Sequence, residues 1–266
     1  MKTHHYQPAL RKRRAFDHAE VRFYAVNSYA VRDATRVDEE FGNFGTHAEF
    51  PDLVPDGEVW ISEKLVPREG PFFLANALTR FRQTAAGRSE EPAYQAGIDV
   101  ERVLRERING VEFRDGKPHR KVPEAIYLKQ YLTLNDPQGP VEVWLVDGNL
   151  VRSYYKTDYT QGGHAYVYPW IPRGQIWVET GVDRREVPFV ICHEYTERRL
   201  MRDARLDYDT AHPICSRMEY DLRKTRGATP LLTGGHRKLG RKALPAVADP
   251  AVFDFVLRTY VHGQTG

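Results

Sequence analysis

Apolar and polar residues follow an order that occurs twice along the chain. Residues 24–32, YAVNSYAVR, and residues 144–152, WLVDGNLVR, each hold two short apolar runs around an Asn-Ser or Asp-Gly pair. Such pairs between apolar runs are typical of tight β-hairpins. Further apolar runs at 59–61 and 176–178 predict one more strand in each segment.

Two helices are predicted after each of these strands. The first begins near Pro71 in one segment and near Pro188 in the other, because proline suits the first turn of a helix. The second follows a turn that contains Tyr94 or Tyr208. In the later segment Asp207 or Asp209 is a candidate N-cap, and apolar residues then recur at helical spacing, namely Ala211, Ile214, Cys215, Met218 and Leu222.

These patterns form an internal repeat of residues 22–108 and 142–226. Residues 58–83 align with residues 175–200 at an offset of 117, with 7 identities in 26 positions. Such a repeat indicates that the same arrangement of strands and helices occurs twice along the chain. The sequence therefore predicts an α+β fold of two similar modules, each a β-hairpin, a strand and two helices, packed with pseudo-twofold symmetry.

The rest of the chain is expected to connect or flank the two modules. The first module, 22–108, is interpreted as degenerate, and the second, 142–226, as the module with a metal site. The remaining segments are a basic N-terminal tail at 1–21, a turn-rich connector at 109–141, and a C-terminal tail at 227–266. That last tail carries a short helix from Pro250 to Val261, with Asp249 as its cap.

The composition argues against a nucleic-acid partner, a disulfide-rich secreted protein and a membrane protein. The formal net charge is only +3, so basic runs such as Arg11–Arg14 and Arg237–Lys242 are read as solvated, and a nucleic-acid partner is not expected. Two cysteines make no disulfide framework, and no apolar segment follows the basic start. We expect a cytoplasmic protein with no membrane partner; the pattern names neither substrate nor oligomeric state.

The second segment carries four candidate ligands or acids that the first lacks. They are His193, Glu194, Glu197 and His212, against Asn76, Ala77, Arg80 and Ile98 in the aligned first segment. Residues four apart on a helix have Cβ atoms about 5 to 6 Å apart, so His193 and Glu197 can chelate one ion. His212 can join them from the next, antiparallel helix. Two imidazoles and one carboxylate suit catalytic zinc with an open fourth position, or ferrous iron.

Other residues could complete this site. Glu194 is rotated by roughly 100° from His193 on the helix and is the candidate general base beside the metal. His164, which the alignment pairs with His47, either holds a glycine turn or supplies a fourth contact. Glu219 would serve a second metal, although a structural bond to an arginine is favoured, and Arg152 could bind a carboxylate or phosphate.

The stretch VICHEYTERRLM, residues 190–201, resembles the zinc-binding helix of zincin-type metallopeptidases. Those enzymes read H-E-x-x-H, and this chain has Glu197 in place of the second histidine. The resemblance implies a zinc-dependent, peptidase-like hydrolase with Glu194 as base. Three alternatives stay open. The protein could be non-catalytic, with a structural metal ion that holds the two helices together. It could instead have a hydrogen-bonded or salt-bridged helix pair without metal, or be a non-haem iron enzyme.

Overall fold

The structure, a computed structural model, describes residues 10, 12–35, 40–114, 122–224 and 247–262. Within them the fold is α+β, with seven helices and two four-stranded mixed sheets. The strands are β1 (Lys12–Asp17), β2 (Arg22–Val26), β3 (Phe44–Thr46), β4 (Glu58–Ser62), β5 (Tyr127–Asp136), β6 (Gly139–Val146), β7 (Gly162–His164) and β8 (Gln175–Glu179). The helices are α1 (Ser28–Ala34), α2 (Val66–Ala85), α3 (Glu90–Asn109), α4 (Gly148–Tyr154), α5 (Val187–Asp203), α6 (Tyr208–Lys224) and α7 (Pro250–Val256).

Both sheets have the same strand order and the same strand directions. The orders are β1-β2-β4-β3 and β5-β6-β8-β7. In each sheet the first pair is antiparallel, the middle pair is parallel and the last pair is antiparallel. The strands predicted at 59–61 and 176–178 are confirmed as parts of β4 and β8, which occupy interior positions.

The chain forms two compact units with one sheet each. The first unit contains the described residues up to 35, 41–114 and 148–160. The second unit contains residue 40, 122–147 and the described residues from 161 onward. Helix α4 thus belongs to the first unit although it follows β6 in sequence, so the units differ from the continuous modules expected from the repeat.

In each unit one long helix packs on the sheet, α2 in the first and α5 in the second, and a second long helix packs on the first. The first unit buries Phe23, Val59, Ile61, Phe73 and Ala77 between β2, β4 and α2. The second unit buries a larger cluster from its strands, from α5 and α6, and from α7, including Val143, Ile176, Val178, Val190, Ile191, Met218, Val252 and Val256. Removal of this apolar surface from water is the main driving force for folding.

The caps of two helices agree with the sequence. The Asp207 carboxylate accepts a hydrogen bond from the backbone N–H of Thr210 at 2.9 Å, at the start of α6. The Asp249 carboxylate accepts one from Ala251 at 2.9 Å and begins α7. Side-chain oxygens in these positions satisfy backbone donors that have no partner within the helix. The predicted C-terminal helix is therefore confirmed, and its apolar side packs on the second unit.

The hairpins predicted at 24–32 and 144–152 are wrong. Each segment is a strand followed by a short helix, β2 then α1 and β6 then α4. The Asn27 side chain accepts a hydrogen bond from the backbone N–H of Ala30 at 3.0 Å, so it caps α1 instead of turning the chain back. Asn and Asp favour both roles, which is why the pattern was ambiguous.

In each sheet the antiparallel hairpin is formed by the strand of the predicted segment, β2 or β6, and the strand that precedes it in the chain. Lys12–Asp17 of the expected N-terminal tail forms β1, which pairs with β2. Tyr127–Asp136 of the expected connector forms β5, which pairs with β6. Both are edge strands, where charged and exposed residues discourage pairing with other chains, so their sequences carry little strand signal. Arg11 and the basic run 237–242 lie outside the described residues.

None of the helices in the described ranges is long and apolar enough to cross a membrane.

Candidate metal centre

Three predicted ligands converge in the second unit between α5 and α6. Nε2 of His193 lies 3.1 Å from Nδ1 of His212, and Nδ1 of His212 lies 2.9 Å from Oε1 of Glu197. The third side of this triangle, from His193 Nε2 to Glu197 Oε1, is 3.6 Å. His193 and Glu197 are one turn apart on α5, as expected, and His212 reaches them from the first turn of α6.

Two sides of this triangle are hydrogen-bond distances, slightly shorter than the separation of two ligand atoms on a tetrahedrally coordinated ion. Zinc bonds to nitrogen and oxygen of about 2.0 to 2.2 Å place neighbouring ligand atoms about 3.3 to 3.6 Å apart. The observed separations of 2.9, 3.1 and 3.6 Å differ from that range by at most about 0.4 Å. The side chains are 5 % exposed for His193 and 2 % for Glu197 in relative terms, so they are held by the surrounding fold.

Glu219 determines which nitrogen of His193 faces the cluster. Nδ1 of His193 lies 3.1 Å from Oε2 of Glu219, and a carboxylate requires a proton on that nitrogen. The other ring nitrogen, Nε2, is then the one directed toward Glu197 and His212. Metal-ligating histidines commonly donate their second N–H to a carboxylate in this way.

Glu219 is held by a buried ion network. Arg223 donates to Glu219 at 3.1 Å from Nε, and its guanidinium also pairs with Glu186. The structural bond to an arginine favoured by the sequence is thus present, together with a contact to His193 that the sequence did not reveal. Glu219 therefore orients the imidazole of His193 and does not belong to the three-atom triangle.

The first unit contains a network of the same form. Arg105 donates to Glu101 at 2.8 Å and to Glu69 at 2.6 Å. The side-chain amide of Asn76 donates to Glu101 at 2.6 Å, where His193 meets Glu219 in the second unit. Asn76 therefore occupies the place of His193, and its amide nitrogen has no lone pair that could bind a metal ion.

His212 has its own outer partners. Its Nε2 lies 3.5 Å from a carboxylate oxygen of Glu40, which favours a proton on Nε2 and leaves Nδ1 directed at the cluster. The Tyr208 ring stacks on the imidazole, with centroids 4.9 Å apart and planes at 24°. Tyr208 and Glu40 were not predicted as site residues. Tyr208 is four residues before His212 on α6, a spacing that could have indicated the contact.

His164 reaches the cluster from β7. Its Nε2 lies 3.1 Å from Oε2 of Glu197, and its Nδ1 accepts a hydrogen bond from the backbone N–H of Tyr166 at 3.2 Å. The side chain is fully buried. His164 therefore contacts the carboxylate oxygen of Glu197 that faces away from His193 and His212.

The alignment of His47 with His164 is off by one residue. In β7, His164 pairs with Ile176, whereas in β3 the residue that pairs with the matching Val59 is Thr46. His47 lies one residue further along, where its Nδ1 contacts the carbonyl oxygen of Val54 at 2.8 Å. A one-residue shift reverses the face to which a strand residue points. His164 is thus specific to the second unit.

The residue of the first unit that corresponds to His212 is Tyr94, and the predicted counterpart Ile98 is wrong. Glu101 and Arg105 occupy in the first unit the places of Glu219 and Arg223. Seven residues before Glu219 stands His212, and seven residues before Glu101 stands Tyr94, whereas the sequence alignment assigned Ile98. Tyr94 stacks under the guanidinium of Arg80, with 4.9 Å from Cζ to the ring centroid.

Glu194 lies at the side of the cluster. A carboxylate oxygen of Glu194 comes within 4.8 Å of the ligand atoms of His164 and Glu197. The space it occupies depends on Gly162, because a Cβ there would lie 3.0 Å from Oε1 of Glu194 and 2.7 Å from Cγ1 of Val190. Glu194 is partly exposed and lies beside Glu197, one of the three candidate ligands.

The charges in this cluster are strongly coupled. Burial would raise the pKa of Glu197, but hydrogen bonds from His164, His193 and His212 lower it well below its ordinary value. Burial, reinforced by the charge of Glu197, raises the pKa of Glu194 to about 8. For His212, burial lowers the pKa, but hydrogen bonds to Glu197 and Glu40 outweigh it and raise the value to about 9. Burial lowers the pKa of His164, so its imidazole is neutral.

Arg152 does not join these residues. It lies on α4 in the first unit, fully buried, and pairs with Glu69 at 2.6 Å. Its guanidinium also donates to the carbonyl oxygen of Tyr159 at 2.8 Å. The sequence placed Arg152 in the second module because it could not show that α4 packs in the first unit.

Across the described residues, the His, Cys, Asp and Glu side chains that could hold an ion form two groups, both in the second unit. One is His193, Glu197 and His212, and the other is His164, Glu194 and Glu197. Comparison with known proteins gave no match to a family model, a curated protein or a solved structure.

Proposed function

We propose that this protein is a metal-dependent hydrolase whose second unit binds one zinc ion through His193, Glu197 and His212. The observation that carries the proposal is the triangle formed by His193 Nε2, Glu197 Oε1 and His212 Nδ1, with sides of 2.9 to 3.6 Å. Two imidazoles and a carboxylate leave a fourth position for water in catalytic zinc sites. Ferrous iron takes the same ligand set and is the second candidate metal.

The carboxylates that contact the two histidines from outside the triangle favour metal binding through the same three atoms. Glu219 accepts a hydrogen bond from Nδ1 of His193, and Glu40 lies beside Nε2 of His212, so each imidazole presents its other nitrogen to the triangle. Such carboxylate partners fix the orientation of ligating histidines and raise their basicity. A salt-bridged surface helix would not require a buried carboxylate behind its histidine, and His193, Glu197 and Glu219 are all buried, whereas His212 and Glu40 are partly exposed.

The chemistry proposed for the site is hydrolysis of an amide or related acyl bond. A bound zinc ion lowers the pKa of a coordinated water to about 7. In its deprotonated form Glu194 would take a proton from a water held there while the water oxygen bonds to the carbonyl carbon and the C=O π pair moves to the carbonyl oxygen. As that pair re-forms the C=O bond and the C–N bond breaks, Glu194 would give the proton to the leaving nitrogen.

We further propose that the two units arose by internal duplication, with the first unit as the degenerate copy. The identical strand orders and the two Glu–Arg networks support this. In the places of His193, Glu194 and Glu197 the first unit has Asn76, Ala77 and Arg80, which cannot form a comparable ligand set. The pseudo-twofold packing and the cytoplasmic location stay predictions.

Metal analysis of the purified protein tests the metal site. We expect one zinc ion per chain, and loss of most of it in His193→Ala and His212→Ala. His47→Ala, a histidine of the first unit, is the matched control and should keep the metal. A wild-type chain without stoichiometric metal, or full metal retention in both variants, would overturn the proposal.

A further inference from the structure

We infer that His164 is a positioning residue that holds the carboxylate of Glu197, and that it is not a metal ligand. The inference rests on the proposed metal site and adds a role for a residue outside the ligand triangle. It also determines how many ions the cluster holds, because His164 belongs to the second group of possible ligands, with Glu194 and Glu197.

The argument starts from the two nitrogens of the buried imidazole. The backbone N–H of Tyr166 points at Nδ1 of His164 across 3.2 Å, so Nδ1 acts as an acceptor and carries no proton. A neutral imidazole must then carry its proton on Nε2. That nitrogen lies 3.1 Å from Oε2 of Glu197, where it donates a hydrogen bond.

A nitrogen that carries a proton has no lone pair for a metal. Ligation through Nε2 of His164 would require either loss of the hydrogen bond from Tyr166 or an imidazolate. His193 and His212 differ, because their outer nitrogens face carboxylates and their inner nitrogens face one another and Oε1 of Glu197, where an ion can replace the hydrogen-bonded proton. Hydrogen-bonding roles therefore divide the three histidines of the cluster into two ligands and one donor.

The donor role selects the geometry of Glu197. With Oε2 engaged by His164, the carboxylate presents Oε1 to His193 and His212 in a single orientation. A ligating carboxylate that is hydrogen-bonded in this way is held for monodentate binding, and removal of such a partner typically costs about 10-fold to 100-fold in metal affinity. The corresponding strand position in the first unit is Thr46, whose N–H and hydroxyl both hydrogen-bond to Glu49.

Zinc binding by variants at position 164 tests this inference. His164→Gln keeps an N–H donor that can reach Glu197, and we expect one zinc ion per chain with a Kd within about threefold of wild type. His164→Ala removes the donor and should keep the stoichiometry of one while the Kd rises about 10-fold to 100-fold. Thr46→Ala, at the corresponding position of the first unit, should leave the Kd unchanged.

Cobalt substitution provides a readout that a loss of stability alone would not change. The visible spectrum of the Co²⁺ form should be the same for wild type and His164→Gln, because the ligand set is the same. Two ions in wild type and one in His164→Gln, or an altered Co²⁺ spectrum in that variant, would show that His164 is a ligand and overturn the inference alone. A wild-type chain that binds no metal would instead overturn the proposed function, and the inference with it. If His164→Ala does not fold, the glutamine variant decides between the two roles.

Discussion

Oε2 of Glu219 lies 3.1 Å from Nδ1 of His193, and this contact decides which side of the imidazole faces the candidate ligands. In the first unit Glu101 holds the same place and accepts a hydrogen bond from the side-chain amide of Asn76, which has no imidazole nitrogen. The two glutamates therefore share a structural role, and only one of them has a histidine to orient.

Glu219→Gln should weaken zinc binding by about 10-fold to 100-fold, because the neutral amide holds the proton of His193 less strongly. The variant should also lose stability through its broken pairing with Arg223. Glu101→Gln is the matched control, since it breaks the equivalent pairing with Arg105 and should leave zinc affinity unchanged. Competition with a chromophoric chelator measures both affinities; equal effects of the two variants would exclude an orienting role.

Zinc affinity should fall as pH decreases from 9 to 6. The pKa of His212 is raised to about 9, so without metal this imidazole holds a proton at neutral pH that the ion must displace. Below that pKa, each proton released lowers the apparent affinity about tenfold per pH unit. Calorimetry in buffers of different ionisation enthalpy measures the protons released. An affinity that is constant between pH 6 and 8 would contradict the assignment of His212 as a ligand.

Glu194→Gln should keep one zinc ion and the melting temperature of wild type but lose at least about 100-fold in turnover, because the amide cannot accept the proton of water. This substitution distinguishes a hydrolase from a protein with a purely structural metal ion, because the structural protein has no activity to lose. The assay uses a library of amide and ester substrates with wild type as reference. Activity equal to wild type in Glu194→Gln would remove Glu194 from the mechanism.

Glu69→Ala should destabilise the first unit by about 3 to 5 kcal/mol, because it removes a buried carboxylate that pairs with both Arg105 and Arg152, of which Arg105 keeps Glu101. Arg105 and Arg152 each contact Glu69 at 2.6 Å, and all three side chains are almost fully buried. Urea unfolding followed by circular dichroism measures the change. The comparison is Glu20→Ala, which breaks a surface pair with Arg82 and should leave the unfolding curve where it is. Equal losses in the two variants would argue against a buried network.

The sequence located the interior strands and the helices that follow them, because these segments bury apolar residues at regular spacing. It also located His193, Glu197 and His212, since a four-residue spacing on one helix and a return on the next depend only on local geometry. The edge strands β1 and β5 were missed because their side chains are largely polar or exposed. Asn27 was misassigned because its side chain suits a cap as well as a turn.

The outer contacts of the site could not be predicted from the sequence. Glu40, His164 and Glu219 reach it from separate segments, and only the packed structure brings them to His212, Glu197 and His193. For His164 the alignment was also misleading, since a one-residue difference between the turns that follow β3 and β7 placed His47 opposite it. Strand pairing resolves this difference, because each residue of the outer strand has a fixed partner.

The membership of α4 in the first unit has a consequence for synthesis on the ribosome. Residues 10–114 can form β1 to β4 and α1 to α3 as they emerge, but Glu69 has only Arg105 as a partner at that stage. Arg152 arrives after β5 and β6 have been made. The N-terminal part of the nascent chain must therefore wait for residue 152 before its buried carboxylate is fully compensated, and a chain truncated after residue 114 is expected to be less stable than the same residues in the whole protein.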